Sequence, residues 1–298
     1  MDREDHRFDH LDRAGLAMAR LALGHRQVVF AAISLAVLLS WVTLAVMAAA
    51  TAQRGLAAEI GPGGGLLQNL PDLPLPSMLE AFVALCLTPA PPGALSLPVF
   101  AALWGMWMLM ALAMMLPAAA PLLRTYCEIA DTARAAGRKV VHPLVLAAGH
   151  VFVWAVASAG FAAAALALQA VSASSSALAP VSGLAGAAAL AIAGLYQFSG
   201  LKEACLEKCR NPFSILFSNW SDRSWPIFRL GMRHGLWCLG CCWALMLVMF
   251  AVGVMNVFWM ALLAVVALAE RQLPGKAVAN AGGAILLVWA GVLLLVSG

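Results

Sequence analysis

The sequence predicts an all-α fold: a polytopic bundle of about seven transmembrane helices with its amino terminus inside. Three observations carry that prediction. Charged residues make up only 11% of the 298, against about a quarter in soluble domains. Several apolar runs reach the roughly 20 residues that cross about 30 Å of hydrocarbon. Those runs lack the alternation of a strand barrel, and helices satisfy their own backbone groups in lipid.

Residues 1–26 read as a cytoplasmic tail with five acidic residues, five arginines and three histidines. Its length and charge do not fit an ordinary signal peptide. The remaining 27–298 form the membrane domain. Its spans are expected at 27–50, 98–120, 142–170, 180–199, 234–252, 254–271 and 277–297. An external loop falls near 51–97 and a cytoplasmic loop near 200–233.

Loop charges set the orientation. The first loop holds Arg54 against Glu59, Asp72 and Glu80, whereas the second, near 121–141, holds Arg124, Arg134, Arg138 and Lys139. The third, near 171–179, is uncharged. The fourth carries Lys202, Lys208, Arg210, Arg223, Arg229 and Arg233. Basic and non-basic loops alternate, as the positive-inside rule asks of a chain that starts inside. Arg271 and Lys276 then also lie inside. The net charge of +4 reads as membrane orientation, since no basic groove interleaved with aromatics marks a nucleic-acid surface.

Residues 234–270 admit two readings. A single helix of that length would run roughly 55 Å, so a strongly tilted span is one. The adopted reading is a hairpin turning at Gly253, Met255 and Asn256. In the external loop, GPGGG and Pro62, Pro71, Pro74 and Pro76 exclude a regular helix. Met78–Leu87 is too short to span and reads as interfacial or re-entrant. Pro212 opens NPFSILFSNW, read as an interfacial helix with Phe213, Leu216, Phe217 and Trp220 on one side.

The chemistry concentrates in cysteine. Cys205 and Cys209 in CLEKC share a helix face, and Cys238 shares its face with Cys241 or Cys242 in CLGCC. Both groups flank the most basic loop, so four thiols can meet at the inner membrane face. The ligand set read here is Cys205, Cys209, Cys238 and Cys242, with Cys241 packing beside it or exchanging the ion. Zinc, monovalent copper and iron–sulfur clusters all accept thiolates. At a reducing face the thiols stay free of structural disulfides. The plain alternatives are small buried side chains and reversible thiol chemistry.

Methionines continue the pattern. Met106, Met110 and Met114 recur every four residues, and Cys238, Cys242, Met246 and Met249 line a near-continuous face. That stripe climbs about 16 Å, a path of soft ligands for monovalent copper. Methionine also fills irregular helix interfaces. His150 lies inside the third span, where it needs a partner; it reads as a metal ligand, a proton relay or an interhelical hydrogen bond. Tyr196, Gln197, Asn256 and Glu270 are further members of a bundle-facing polar network.

No nucleophile elbow, phosphate-binding loop or HExxH motif occurs. The chain does, however, resemble a bacterial family of uncharacterised, predicted metal-binding integral membrane proteins. The resemblance rests on Trp107, Met110, Ala113, Met114, Met115 and Pro117, then on Tyr196, Gln197, Lys202, Cys205, Cys209, Arg210 and Pro212. It continues from Gly231 to Met246 and through Gly253, Met255, Asn256 and Glu270.

The leading functional reading is a non-enzymatic inner-membrane protein that binds a soft metal, copper(I) or zinc, and delivers or translocates it. A second is a metal-stabilised scaffold or accessory subunit of a membrane complex; a membrane oxidoreductase ranks third. Expected partners are membrane lipids, the metal ion, and other subunits or further copies of the chain.

Overall fold

The computed structural model describes residues 25–53, 77–87, 97–172, 184–218, 220–253 and 256–297. Most of the tail and of the external loop, the uncharged loop near 171–179 and Met255 lie outside them. The described residues form helices α1 (His25–Thr51), α2 (Ser77–Leu87), α3 (Leu97–Met115), α4 (Ala120–Ala135), α5 (Pro143–Ser172) and α6 (Leu184–Gln197). Then follow α7 (Gly200–Arg210), α8 (Pro212–Ser218), α9 (Ser224–Val252), α10 (Val257–Gln272) and α11 (Ala277–Ser297).

The architecture is an all-α, polytopic membrane bundle. Five helices, α1, α3, α5, α9 and α11, are long and apolar enough to cross a bilayer. The α6–α7 pair, bent by 65°, makes a sixth if it is one broken span. α10, at 16 residues, is about 24 Å long. Leu35, Leu38, Val42, Ile285, Val288 and Leu295 point outward, which gives lipid an apolar surface.

α9 is the axis of the bundle, with two thirds of its apolar window buried. It runs beside α5, and the two touch backbone to backbone at Gly149 and Gly231. A Cβ on Gly231 would stand 2.1 Å from the Leu146 carbonyl oxygen, and one on Gly149 2.1 Å from that of Phe228. Small residues allow such contact without lipid-facing bulk. α3 joins this core by stacking Trp107 on Phe161 of α5, 4.8 Å between centroids, and against Phe250 of α9 at 5.3 Å. Trp104 Nε1–H donates to the Ala155 carbonyl and Trp41 Nε1–H to that of Ala113, tying α3 to α5 and α1 to α3.

The hairpin in 234–270 is present. α9 ends at Val252, Gly253 turns at φ 97°, and Asn256 caps α10 by accepting from Trp259 N–H. The connecting stretch near 200–233 is largely helical. α9 starts ten residues before the expected Cys-rich span, led by extended Arg223 with Pro226 in its first turn. After α3, Pro117 forces a 3₁₀ turn, and amphipathic α4 returns along the bundle end. There Tyr126 O–H donates to the Val141 carbonyl, and burial pushes its phenol up to about 12.

Two contacts place the basic ends together. Arg26 lies 3.9 Å from Glu128, and Arg271 Nη2 lies 3.9 Å from Met115 Sδ. The start of α1, the end of α3 and the end of α10 therefore share one end of the bundle.

Candidate metal centre

Helical spacing brings three thiols of α9 together. Cys238, Cys241 and Cys242 are all fully buried, with Cys241 Sγ 3.3 Å from Cys242 Sγ and donating to the Cys238 carbonyl at 3.1 Å. α7 supplies the other face. Ser199 caps it by accepting from Lys202 N–H, and the bend after α6 lays it across α9. Cys209 then lies within electrostatic reach of Cys241, Cys238 and Arg271. Cys205, one turn earlier, rests on bare backbone: a Cβ on Gly240 would stand 2.6 Å from its sulfur. The convergence of the two cysteine groups thus runs through Cys209 and Cys241. The sequence favoured Cys242 over Cys241.

The end of α10 completes the cluster with a residue that sequence reasoning used only as a topology marker. Arg271 Nη2 lies 3.1 Å from Cys238 Sγ, 3.5 Å from Cys241 Sγ and 2.9 Å from Cys242 Sγ. Its Nε is buried without a partner. A guanidinium stays charged in proteins, so a cation already sits where three sulfurs point. Among the described residues no three His, Cys, Asp or Glu side chains stand ready around one ion. Arg271 occupies the point that the three α9 sulfurs share.

α7 and α10 are locked independently of the sulfurs. Lys202 Nζ pairs with Glu270 Oε2 at 2.7 Å, both side chains buried. Arg210 donates to the carbonyls of Glu270, Leu273 and Gly275, capping groups that the helix end leaves unsatisfied. Outside this lock, Lys276 pairs with Glu203 at 2.6 Å. Tyr196 O–H donates to the Gly240 carbonyl, fixing α6 on α9 beside Cys205.

The remaining candidates divide. Met246 and Met249 are buried on α9, beyond Cys242, and Met114 is buried on α3. Its neighbour Met115 touches Arg271. His150 is buried on α5 with Nδ1 3.2 Å from His234 Nδ1, and its Nε2 has no partner. His234 is not among the candidates named from the sequence. Its four-residue interval before Cys238 was the signal that places it on the cysteine face.

The model of a copper-chaperone family, PpoB2, matches residues 104–293, well over half of the chain. The chain belongs to the PpoB2 copper-chaperone family. No curated protein and no solved structure matches it. The matched span runs from α3 to α11 and contains the whole cysteine cluster, Arg271 and both buried histidines. A PpoB2-family chain with interacting Cys209, Cys238, Cys241 and Cys242 is a metal-binding integral membrane protein, and its kinship is with a chaperone rather than a catalyst.

Proposed function

We propose that the protein takes monovalent copper at the inner end of its bundle and hands it on. The ion binds Cys209, Cys238, Cys241 and Cys242, with Cys205 one helical turn away as an exchange thiol. The single observation that carries this reading is Arg271 Nη2 within 3.5 Å of three buried sulfurs, in a chain of a copper-chaperone family. A pocket of soft donors that already holds one positive charge suits a soft monovalent cation better than a divalent one. Copper enters as the guanidinium turns aside; thiolates, not thiols, are its ligands. Met246 and Met249 continue the face by about 10 Å beyond Cys242 and receive the ion as it leaves, with Met114 lining the facing helix. Zinc, which prefers a closed tetrahedral thiolate shell, is the competing cargo.

In this reading the broken α6–α7 pair and short α10 both cross, giving seven spans. The amino terminus and the cluster face the cytoplasm of a bacterial inner membrane, residues 1–26 forming the tail and 27–298 the membrane domain. The scaffold reading is weakened by a specific feature. Tyr196 already fixes the α6–α7 pair on α9, so a metal staple between α7 and α9 has less left to join.

The deciding measurement is copper content of the full chain purified without oxygen, under competition from a chromogenic copper(I) chelator. Wild type retains copper with an all-sulfur or sulfur-dominated X-ray absorption shell. Cys209→Ser, Cys238→Ser and Cys242→Ser each lower retention. Unchanged copper in all three folded variants sinks the ligand set. Copper that stays bound yet never reaches an acceptor protein or crosses sealed vesicles restores the scaffold reading.

A further inference from the structure

His150 and His234 are the one pair of histidines buried face to face in the described bundle, each 2% exposed. Their Nδ1 atoms are 3.2 Å apart and their rings tilted by 38°. The Gly149–Gly231 backbone contact, next to one histidine and one turn from the other, fixes that spacing. A neutral imidazole offers one donor and one acceptor, so the mutual bond uses only half of the pair's capacity. His150 Nε2 is buried with no partner, and an unmet polar atom in such a setting is costly. Intramembrane ionisable residues are retained at that cost mainly where they serve a pathway.

Two nitrogens bound to one tetrahedral ion at about 2.0–2.1 Å lie about 3.3 Å apart, close to the separation here. A third donor is at hand. Cys238 follows His234 by one turn on the same face, and His150 lies within its electrostatic reach. The same Cys238 touches Arg271 in the thiol pocket.

We propose that His150, His234 and Cys238 form a second copper station, adjoining the thiol pocket and sharing Cys238 with it. This rests on the copper-carrying reading above and deepens it. Turning Cys238 between two rotamers passes the ion from an imidazole-rich shell to an all-sulfur one without releasing it. His234 lies nearer the start of α9 than any of its cysteines, so the histidine station comes first for an ion arriving at the basic end. Imidazole accepts several first-row metals, whereas thiolate favours monovalent copper. The order therefore runs from the less selective donor set to the more selective one.

The test loads full-length protein in detergent with copper(I) under the same chelator competition. It compares wild type, the His150→Gln/His234→Gln double variant and the Cys209→Ser/Cys242→Ser double variant. Wild type should carry one more copper per chain than the histidine variant. Its X-ray absorption should show nitrogen scatterers that vanish in that variant while the sulfur shell persists. The cysteine variant should keep the nitrogen-bound ion. Equal copper loading and identical sulfur-only spectra in wild type and the histidine variant would overturn the station and leave the thiol pocket intact. Full loading of the cysteine variant would instead overturn the thiol pocket. Loss of all copper from a histidine variant that melts like wild type overturns the idea of two stations in favour of one mixed site. Should the histidine variant melt early, the wild-type spectrum decides alone: no nitrogen at saturation rejects the proposal.

Discussion

At the scale of single residues, Arg271 both competes with cargo and compensates it. A copper–thiolate centre carries net negative charge. Unit charges 4 Å apart interact by about 4 kcal/mol at an effective dielectric of 20, against about 1 kcal/mol net for a hydrogen bond the ion must break. Compensation wins. Arg271→Met is therefore expected to weaken copper(I) retention by roughly tenfold or more, read by chelator competition; tighter binding would show that competition dominates. Among the cysteines, Cys209→Ser should lose copper and Cys205→Ser should keep most of it, because Cys209 interacts with Cys238, Cys241 and Arg271 while Cys205 rests on Gly240 with Cys241 alone of the cluster in reach. The cysteine faces were legible in the sequence because intervals of three and four residues fix a helix side. Arg271 was not. A charge at a helix end reads as an orientation signal, and its sulfur partners lie 29 to 33 positions earlier in the chain.

At the scale of helices, two glycines on neighbouring elements give opposite expectations. Gly231→Ala forces a methyl into the Leu146 carbonyl, so α5 and α9 must part and carry His150 and His234 with them. Its melting temperature in detergent should fall by the equivalent of at least the 1–3 kcal/mol that overpacking costs. Gly160→Ala meets nothing within 4 Å. It should be neutral or gain up to about 1 kcal/mol of helix propensity. The α7–α10 lock makes a third case. Lys202→Met leaves the Glu270 carboxylate buried without its ammonium, expected to cost about 3–5 kcal/mol; adding Glu270→Leu should recover most of it. A double variant as unstable as the single one would mean that the pair contributes little. The hairpin turn was legible because Gly253 and Asn256 are turn and cap residues. The early start of α9 was hidden, since Arg229 and Arg233 on its first turns look like loop charges. The place of the break after α6 was legible, since apolar Leu184–Gln197 gives way to charged Gly200–Arg210 where the expected span ends, but its 65° angle was not.

At the scale of the whole chain, the apolar runs announced a membrane bundle because lipid leaves little choice of backbone structure. Which helix sits at its centre was not legible: α9 is no more apolar than its neighbours, and only the glycine contacts and the Trp107 stacks choose it. The proposed orientation has a direct check. Arg138→Cys sits in the exposed turn between α4 and α5, whereas none of the native cysteines is fully exposed. A membrane-impermeant thiol reagent should label it in inside-out vesicles and not in intact spheroplasts. The reverse pattern would invert the bundle and put the cysteine cluster outside.

The Arg210 cap has a kinetic consequence. It pins the carbonyl of Glu270, the residue immediately before Arg271, so the backbone beneath that guanidinium cannot travel with it. Admission of cargo is then a swing of one long arm about a fixed shoulder. Side chains turn far faster than the micro- to millisecond motions of whole helices, and exchange at this site would not have to wait for the protein to change shape.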